Sequence, residues 1–214
     1  MIRKKFFQNK VQNGDVIEIK NCDNYRDSIY LPNPITQVAD MPYPLYLSLQ
    51  GKYFVGYADD LEFRHGNIAW AGLVNPFNSG VNLFVFVWTV TNIGQEPLLA
   101  EIWFNTAPSG IPTESELVTP ANTAYRPLPI PRVKLLKASN VLGAPVSGNR
   151  VLERRVVSEV TIASDEQGKF IFPPGGSFII TFKNAEPSNE PGAGRIAFGW
   201  SEEPINDNRK LGGN

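Results

Sequence analysis

His65 is the only histidine in the chain, and it lies in a polar turn, Arg64-His65-Gly66-Asn67. As a general base it would need a nucleophile within reach and a carboxylate to orient its ring. Asp59, Asp60 and Glu62 precede it closely, so His65 with Asp60 is the one plausible acid–base pair. Turn residues of this kind occur in any β protein, and His65 reads first as a surface-loop residue. Asp59-Asp60-Leu61-Glu62 groups three carboxylates, but a calcium ion wants about 6–8 oxygens from a defined loop. The run lacks alternating Asp/Asn and a glycine, and it reads as a solvated turn. One His and one Cys exclude a zinc site built on several of either, and any intramolecular disulfide. Ser147, in Pro145-Val146-Ser147-Gly148-Asn149, lacks the flanking glycines of a nucleophile elbow. No zinc-protease helix or phosphate loop occurs. Pro173-Pro174-Gly175-Gly176 leads into a strand and reads as a tight turn, not a phosphate cradle. The expectation is a protein that is not an enzyme, with no catalytic residue, no cofactor and no metal.

Binding chemistry is better represented. Trp70, Trp88, Trp103 and Trp200, with Tyr53 and Tyr57, are rings of the type that stack on sugars, and many jelly rolls are lectins. Trp88 and Trp200 sit in strong strand patterns and read as core. Trp103 falls on the polar face of its strand. It is the best exposed candidate for a glycan, with Tyr57 as the second. Cys22, in Asn21-Cys22-Asp23-Asn24, is a free thiol in a polar setting. Oxidised, it could pair only with another chain, and one thiol per chain links two chains at most. Arg3, Lys4 and Lys5 contribute little against salt screening. A formal net charge of −1 gives no excess that points to nucleic acid.

The elements that must position these residues are strands. The chain has 214 residues with 18 Gly and 18 Pro, enough for one large domain, or a domain with an arm. Residues 1–42 are polar and Asn-rich, with one alternating piece, Asp15-Val16-Ile17-Glu18-Ile19-Lys20. They read as an extended arm without a core of its own. From residue 43 the pattern is strand, turn, strand. Runs at Lys52–Tyr57, Asn67–Val74, Val81–Thr91, Leu98–Phe104, Lys169–Phe172, Ser177–Phe182 and Arg195–Trp200 are the clear strands. Arg132–Lys137 and Arg150–Val157 are weaker. Residues 105–131 carry six prolines and read as a long excursion over one end of a sandwich. No stretch of 11 or more residues shows helical spacing. Short strands with frequent Gly and Pro turns predict an all-β fold, an antiparallel β-sandwich or jelly roll. The predicted division is arm 1–42, sandwich 43–204 and a polar tail 205–214.

Leu83 through Val90 is apolar on both faces apart from Thr89. A sheet with one face in water should alternate, so something must cover the outer side of this strand. The 105–131 excursion, the arm and a neighbouring subunit are the three possible covers. Phe84 and Phe86 are therefore expected at a subunit interface, together with the arm residues Val16, Ile17, Ile19 and Cys22.

From residue 45 the chain resembles a family of small β proteins from spore-forming Bacillota described only as a domain of unknown function. The residues that carry this are Leu45-Tyr46 with Ser48–Gly56, Trp70–Pro76 with Asn78–Val85, Ile102–Asn105, Phe172–Phe178, and Ala197–Trp200 with Glu202-Glu203. They span about three quarters of the chain and bring no catalytic residue with them. In architecture, a β-sandwich with a polar arm is similar to the subunits of endospore appendages. Those are jelly rolls whose arms reach into neighbours and are cross-linked by arm cysteines. This sequence departs from that pattern in having one Cys and no second one to receive the link, which counts against a disulfide-stapled fibre and leaves non-covalent assembly open.

The basic N-terminus is not followed by an apolar run of about 7–15 residues, as a signal peptide requires, and no stretch reaches about 18 apolar residues. The expectation is synthesis in the cytoplasm, no membrane insertion, and a place on a spore or cell surface after release. The function expected is a self-assembling structural subunit whose arm packs on a neighbour, making homo-oligomers or filaments. The alternative is a jelly-roll carbohydrate-binding or adhesin module with a glycan as partner.

Overall fold

Alternating apolar runs become strands because each can turn one face to a core and the other to solvent. A computed structural model describes residues 41–205, with one short helix and eleven strands among them. The described residues fall into two units, those up to Tyr46 and those from Leu47 onward. In the first, Tyr46 N donates to the Pro42 carbonyl at 3.1 Å, and the Tyr43 and Tyr46 rings stack 6.2 Å apart. Helix α1, Tyr43–Leu49, stands where a strand pattern was expected to begin. Seven residues are too few to show helical periodicity, and Pro44 is tolerated in a first turn because its missing N–H has no partner there. The turn after α1 needs Gly51, at φ 69°. A side chain there would meet Pro129 and Tyr125, and the Tyr125 hydroxyl donates to the Leu49 carbonyl at 2.7 Å.

The strands are β1 Tyr53–Phe63, β2 Asn67–Val74, β3 Val81–Asn92, β4 Leu98–Phe104, β5 Thr113–Glu114, β6 Val118–Pro120, β7 Lys134–Leu142, β8 Asn149–Val156, β9 Thr161–Phe172, β10 Ser177–Asn184 and β11 Gly192–Pro204. They form two antiparallel sheets ordered β6-β1-β11-β3-β9 and β5-β7-β2-β10-β4-β8. With β5, β6 and β7 set aside, eight strands remain. The first pairs with the last (β1–β11), the second with the seventh (β2–β10), the third with the sixth (β3–β9) and the fourth with the fifth (β4–β8). That nesting is a jelly roll, an antiparallel ribbon wrapped into two facing sheets. The expected β-sandwich is therefore present.

The core lies between the sheets, with Trp88, Trp200, Phe63, Phe178, Phe182, Leu61 and Ile180 among its buried side chains. Phe104, Phe172 and Phe198 all pack edge-on to neighbouring rings, with Phe104 and Phe172 5.0 Å apart. Such geometry adds about 0.5–1.5 kcal/mol per pair beyond area burial.

Strand β3 explains its own unbroken apolar run. Val85 faces Trp200 of β11 and Val87 faces Gly199, leaving Phe86 as an extra residue. This bulge reverses the parity of the strand. Leu83 and Val85 face the core before it, and Trp88 and Val90 face the core after it. The bulge thus accounts for core residues of both parities, while Phe84, Phe86 and Val87 are apolar on the outward face, where Tyr53 packs on Phe86.

The 105–131 excursion does not cover β3. Its start lies on the outer face of the other sheet, where the Trp70 indole donates to the Ser109 carbonyl at 2.9 Å and Gly110 abuts Val141. Its β5 pairs with β7 and its β6 with β1.

Buried polar groups fasten the loops. Asn75 is fully buried, and its amide donates to the Val81 and Phe172 carbonyls at 2.9 and 3.0 Å. Its own N–H and C=O bond Gly176 and Gly175. Replacing it strands two carbonyls away from water, a cost of about 1–3 kcal/mol for each unsatisfied group. Asn75→Ala is expected to lower the unfolding free energy by about 2–4 kcal/mol in urea titration, with an unchanged urea slope. A loss below about 0.5 kcal/mol would show that the loop stands without it.

Candidate functional site

The outer face of the five-stranded sheet is built from small residues in the middle and apolar residues at the sides. Register places Tyr53, Ser201 and Phe84 in one row, Val55, Gly199 and Val87 in the next, and Tyr57, Ala197 and Thr89 in a third. Side chains in register point to the same face, so Ala197 is the floor of a trough with walls on β1 and β3. The trough continues over β6 to Leu117 and Thr119, forming an open groove of about 630 Å³. Its rim residues Val55 and Tyr57 are 37% and 44% exposed. Beside it, Phe84 pairs across the ladder with Ile171, which is 53% exposed.

One end of the trough is closed by Tyr53. Gly199 makes room for it, since a side chain at that position would meet the Tyr53 hydroxyl and Val87. The Tyr53 ring packs edge-on against Phe86, with centroids 5.2 Å apart. Burial first, and then the nearby Asp165 carboxylate, push the Tyr53 phenol above its usual pKa. Phe86 also lies against Gly168, in the loop where β9 bulges opposite β3. Phe86 is therefore buried by its own chain, whereas Phe84 stays half-open. The remaining expected interface residues, Val16, Ile17, Ile19 and Cys22, lie outside the described residues.

The two ring residues expected to meet a glycan are on different sheets. Tyr57 belongs to β1 and the groove rim. Trp103 belongs to β4, on the outer face of the six-stranded sheet. It is half-buried against a second cluster of Ile68, Trp70, Ala138 and Ile179. Its Nε1 is enclosed and has no hydrogen-bond partner among the described residues. The expectation of an exposed Trp103 is corrected: the outward face is apolar on the adjacent β10 and, beyond it in the sheet, on β2 and β7, which Glu101 beside Trp103 does not reveal.

His65 and Asp60 do not form a pair by hydrogen bond. His65 Nδ1 lies 3.0 Å from the Ser188 carbonyl, so this nitrogen must carry the proton. Asp60 is not in a turn. With φ 54° it forms a bulge in β1, where Ala58 and Leu61 bracket the shift in register. Its carbonyl accepts from Ser139, and Asp59 pairs with Lys137 at 3.3 Å. No group of three or more metal-ligating side chains occurs among the described residues.

Three buried carboxylates escaped the sequence analysis, and each has a structural partner. Glu202 accepts the Arg132 and Val133 backbone N–H groups and the Trp200 indole. Glu166 accepts the Trp88 indole and the Ser164 hydroxyl. Glu101 accepts Lys183 at 2.6 Å and Arg150 at 2.7 Å. Only Glu202 left a signal in the sequence, an acid two residues from a tryptophan that needed an indole acceptor, whereas Glu166 lies 78 residues from Trp88.

A family model described as "Family of unknown function (DUF6143)" matches residues 28–207. No match was found among curated proteins or among solved structures. No helix among the described residues is long and apolar enough to cross a membrane.

Burial pushes the Glu101 carboxyl up, but its bonds to Lys183 and Arg150 outweigh that, leaving its pKa below the usual value. A depressed folded pKa contributes stability above the unfolded value of about 4.3, which is lost as pH falls through the folded value. Glu101→Gln is expected to cost about 1–2 kcal/mol at pH 7, since the two cations are partly solvated. It should also flatten the fall in stability below about pH 4.3, measured by urea titration across pH. An unchanged acid limb would sink this assignment.

Proposed function

Given that the chain belongs to this family, whose description carries no activity, we propose from its own surfaces that it is a self-associating structural subunit. The reading is that of a spore or cell-surface filament, with the N-terminal arm, residues 1–42, packing on a neighbouring sandwich. The observation that carries it is the open apolar groove at Val55, Tyr57, Val87 and Leu117, on the outside of a sheet whose inner face already closes the core. Contiguous exposed apolar surface of this kind is a mark of interaction sites. Subunits that dock head to tail build open filaments when the rotation does not close.

A glycan-binding module is the second reading, and Tyr57 on the groove rim is what favours it. An extended platform would need further rings beside Tyr57, and Tyr53 is committed to Phe86.

Deleting residues 1–42 should leave a folded β protein, by far-ultraviolet circular dichroism, that sediments as a smaller species than the full chain at equal concentration. An unchanged assembly after deletion would remove the arm from the proposal. Tyr57→Lys should weaken association of the full chain about tenfold, because it places a charge on apolar surface that association would bury.

A further inference from the structure

The sandwich has four sheet edges, and they are not alike. Edges β5 and β6 are two and three residues long. Edge β8 carries Arg150, Glu153, Arg154 and Arg155, the charged dressing that keeps an edge from pairing. The first part of β9, Thr161-Ile162-Ala163-Ser164, has neither charge nor proline, and among the described residues β9 pairs with β3 alone.

Its free groups can be assigned. Asn92 N donates to the Val160 carbonyl at 3.0 Å. Bonded and non-bonded pairs alternate along an antiparallel ladder. Val90–Ile162 and Trp88–Ser164 are then the bonded pairs, and the N–H and C=O of Thr161 and Ala163 point away from β3. The Thr91 and Thr161 hydroxyls, 2.8 Å apart, fit the close side-chain approach of a non-bonded pair. Exposed apolar side chains flank this edge: Val157 and Val160 before it, and Val151 on the neighbouring β8.

We infer that the Thr161–Ser164 edge is an acceptor for strand addition, and that its occupant is the Asp15–Lys20 segment of a second copy of this chain. The inference rests on the proposed self-association and names where the arm goes. Asp15-Val16-Ile17-Glu18-Ile19-Lys20 alternates, so an added strand would turn Ile17 and Ile19 to the apolar margin around Ile162. Val16 and Glu18 would take the other face. The segment carries two acids and one base, and Arg154 on β8, which bonds the Glu153 carbonyl and no carboxylate among the described residues, is a base available to it, while Glu159 and Asp165 bound the edge itself. The twenty residues between Lys20 and Met41 can span up to roughly 70 Å, enough to reach a neighbouring molecule.

Ala163→Pro tests this, because proline removes an outward N–H and leaves the β3 ladder intact, a placement that edge strands tolerate. Sedimentation of the full chain is compared with Ala163→Pro, Ala163→Lys and the 1–42 deletion. Folding of each is checked by circular dichroism. Weakening of association by about tenfold in the edge variants, together with loss in the deletion, is the expected result. If the deletion dissociates the assembly and folded edge variants do not, the acceptor lies elsewhere and the inference falls while arm exchange stands. If the edge variants dissociate it and the deletion does not, the edge pairs with another edge and the arm is not its occupant. A wild-type monomer would overturn both the inference and the reading beneath it. Should Ala163→Pro fail to fold, Ala163→Lys decides, since an edge lysine blocks addition without breaking the strand.

Discussion

A strand inside a sandwich can bury only alternate residues, and β3 has to bury two sets that are out of step. Leu83 and Val85 belong to one parity, Trp88 and Val90 to the other. The extra residue Phe86 reconciles them, and much else follows from it. Strand β9 must bulge opposite, which is why Gln167 and Gly168 take positive φ of 53° and 75°. The displaced ring has to go outward, and Tyr53 and Gly168 close over it. Tyr53 can lean that far because Gly199 has no side chain. The shape of the outer trough, filled at one end and open at Ala197, is thus a by-product of how the core is packed.

Polar burial follows a similar economy of placement. Trp88 and Trp200 sit at the centre of the core, yet each indole finds a glutamate at the margin. Those glutamates accept other donors too, so Glu202 ties β11 to the backbone entering β7, and Glu166 steadies the β9 bulge. These buried carboxylates are thereby occupied as fasteners.

Legibility in the sequence tracked how far each segment depends on its own neighbours. β10 and the middle of β11 alternate cleanly and were read as strands from Ser177–Phe182 and Arg195–Trp200. The first half of β9 was missed because an edge strand buries little, and Thr161–Gly168 has few apolar residues to reveal a period. The Phe86 bulge could not be read, since Phe84, Phe86 and Val87 are apolar on the outward face as well and hide the switch of parity. Trp103 read as exposed because its burial comes from side chains on β2, β7 and β10, far away in sequence. Asp59-Asp60 read as a turn for the same reason that it bulges: polar residues in sequence, with a left-handed backbone at Asp60. Strand order could not be read at all, because the pairing of Tyr53 with Ser201 leaves no trace in local composition.

That last pairing has a consequence for vectorial synthesis. β1 joins the sheet only through β11, which lies at the far end of the domain, and through the three residues of β6. As the chain leaves the ribosome, Phe54, Leu61 and Phe63 wait uncovered until the final strand emerges. At about 5–20 residues per second, the interval is on the order of ten seconds. Nested first-to-last closure therefore makes the nascent chain dependent on being shielded during that wait, and it makes the last strand the one that commits the whole ribbon to its wrapped form.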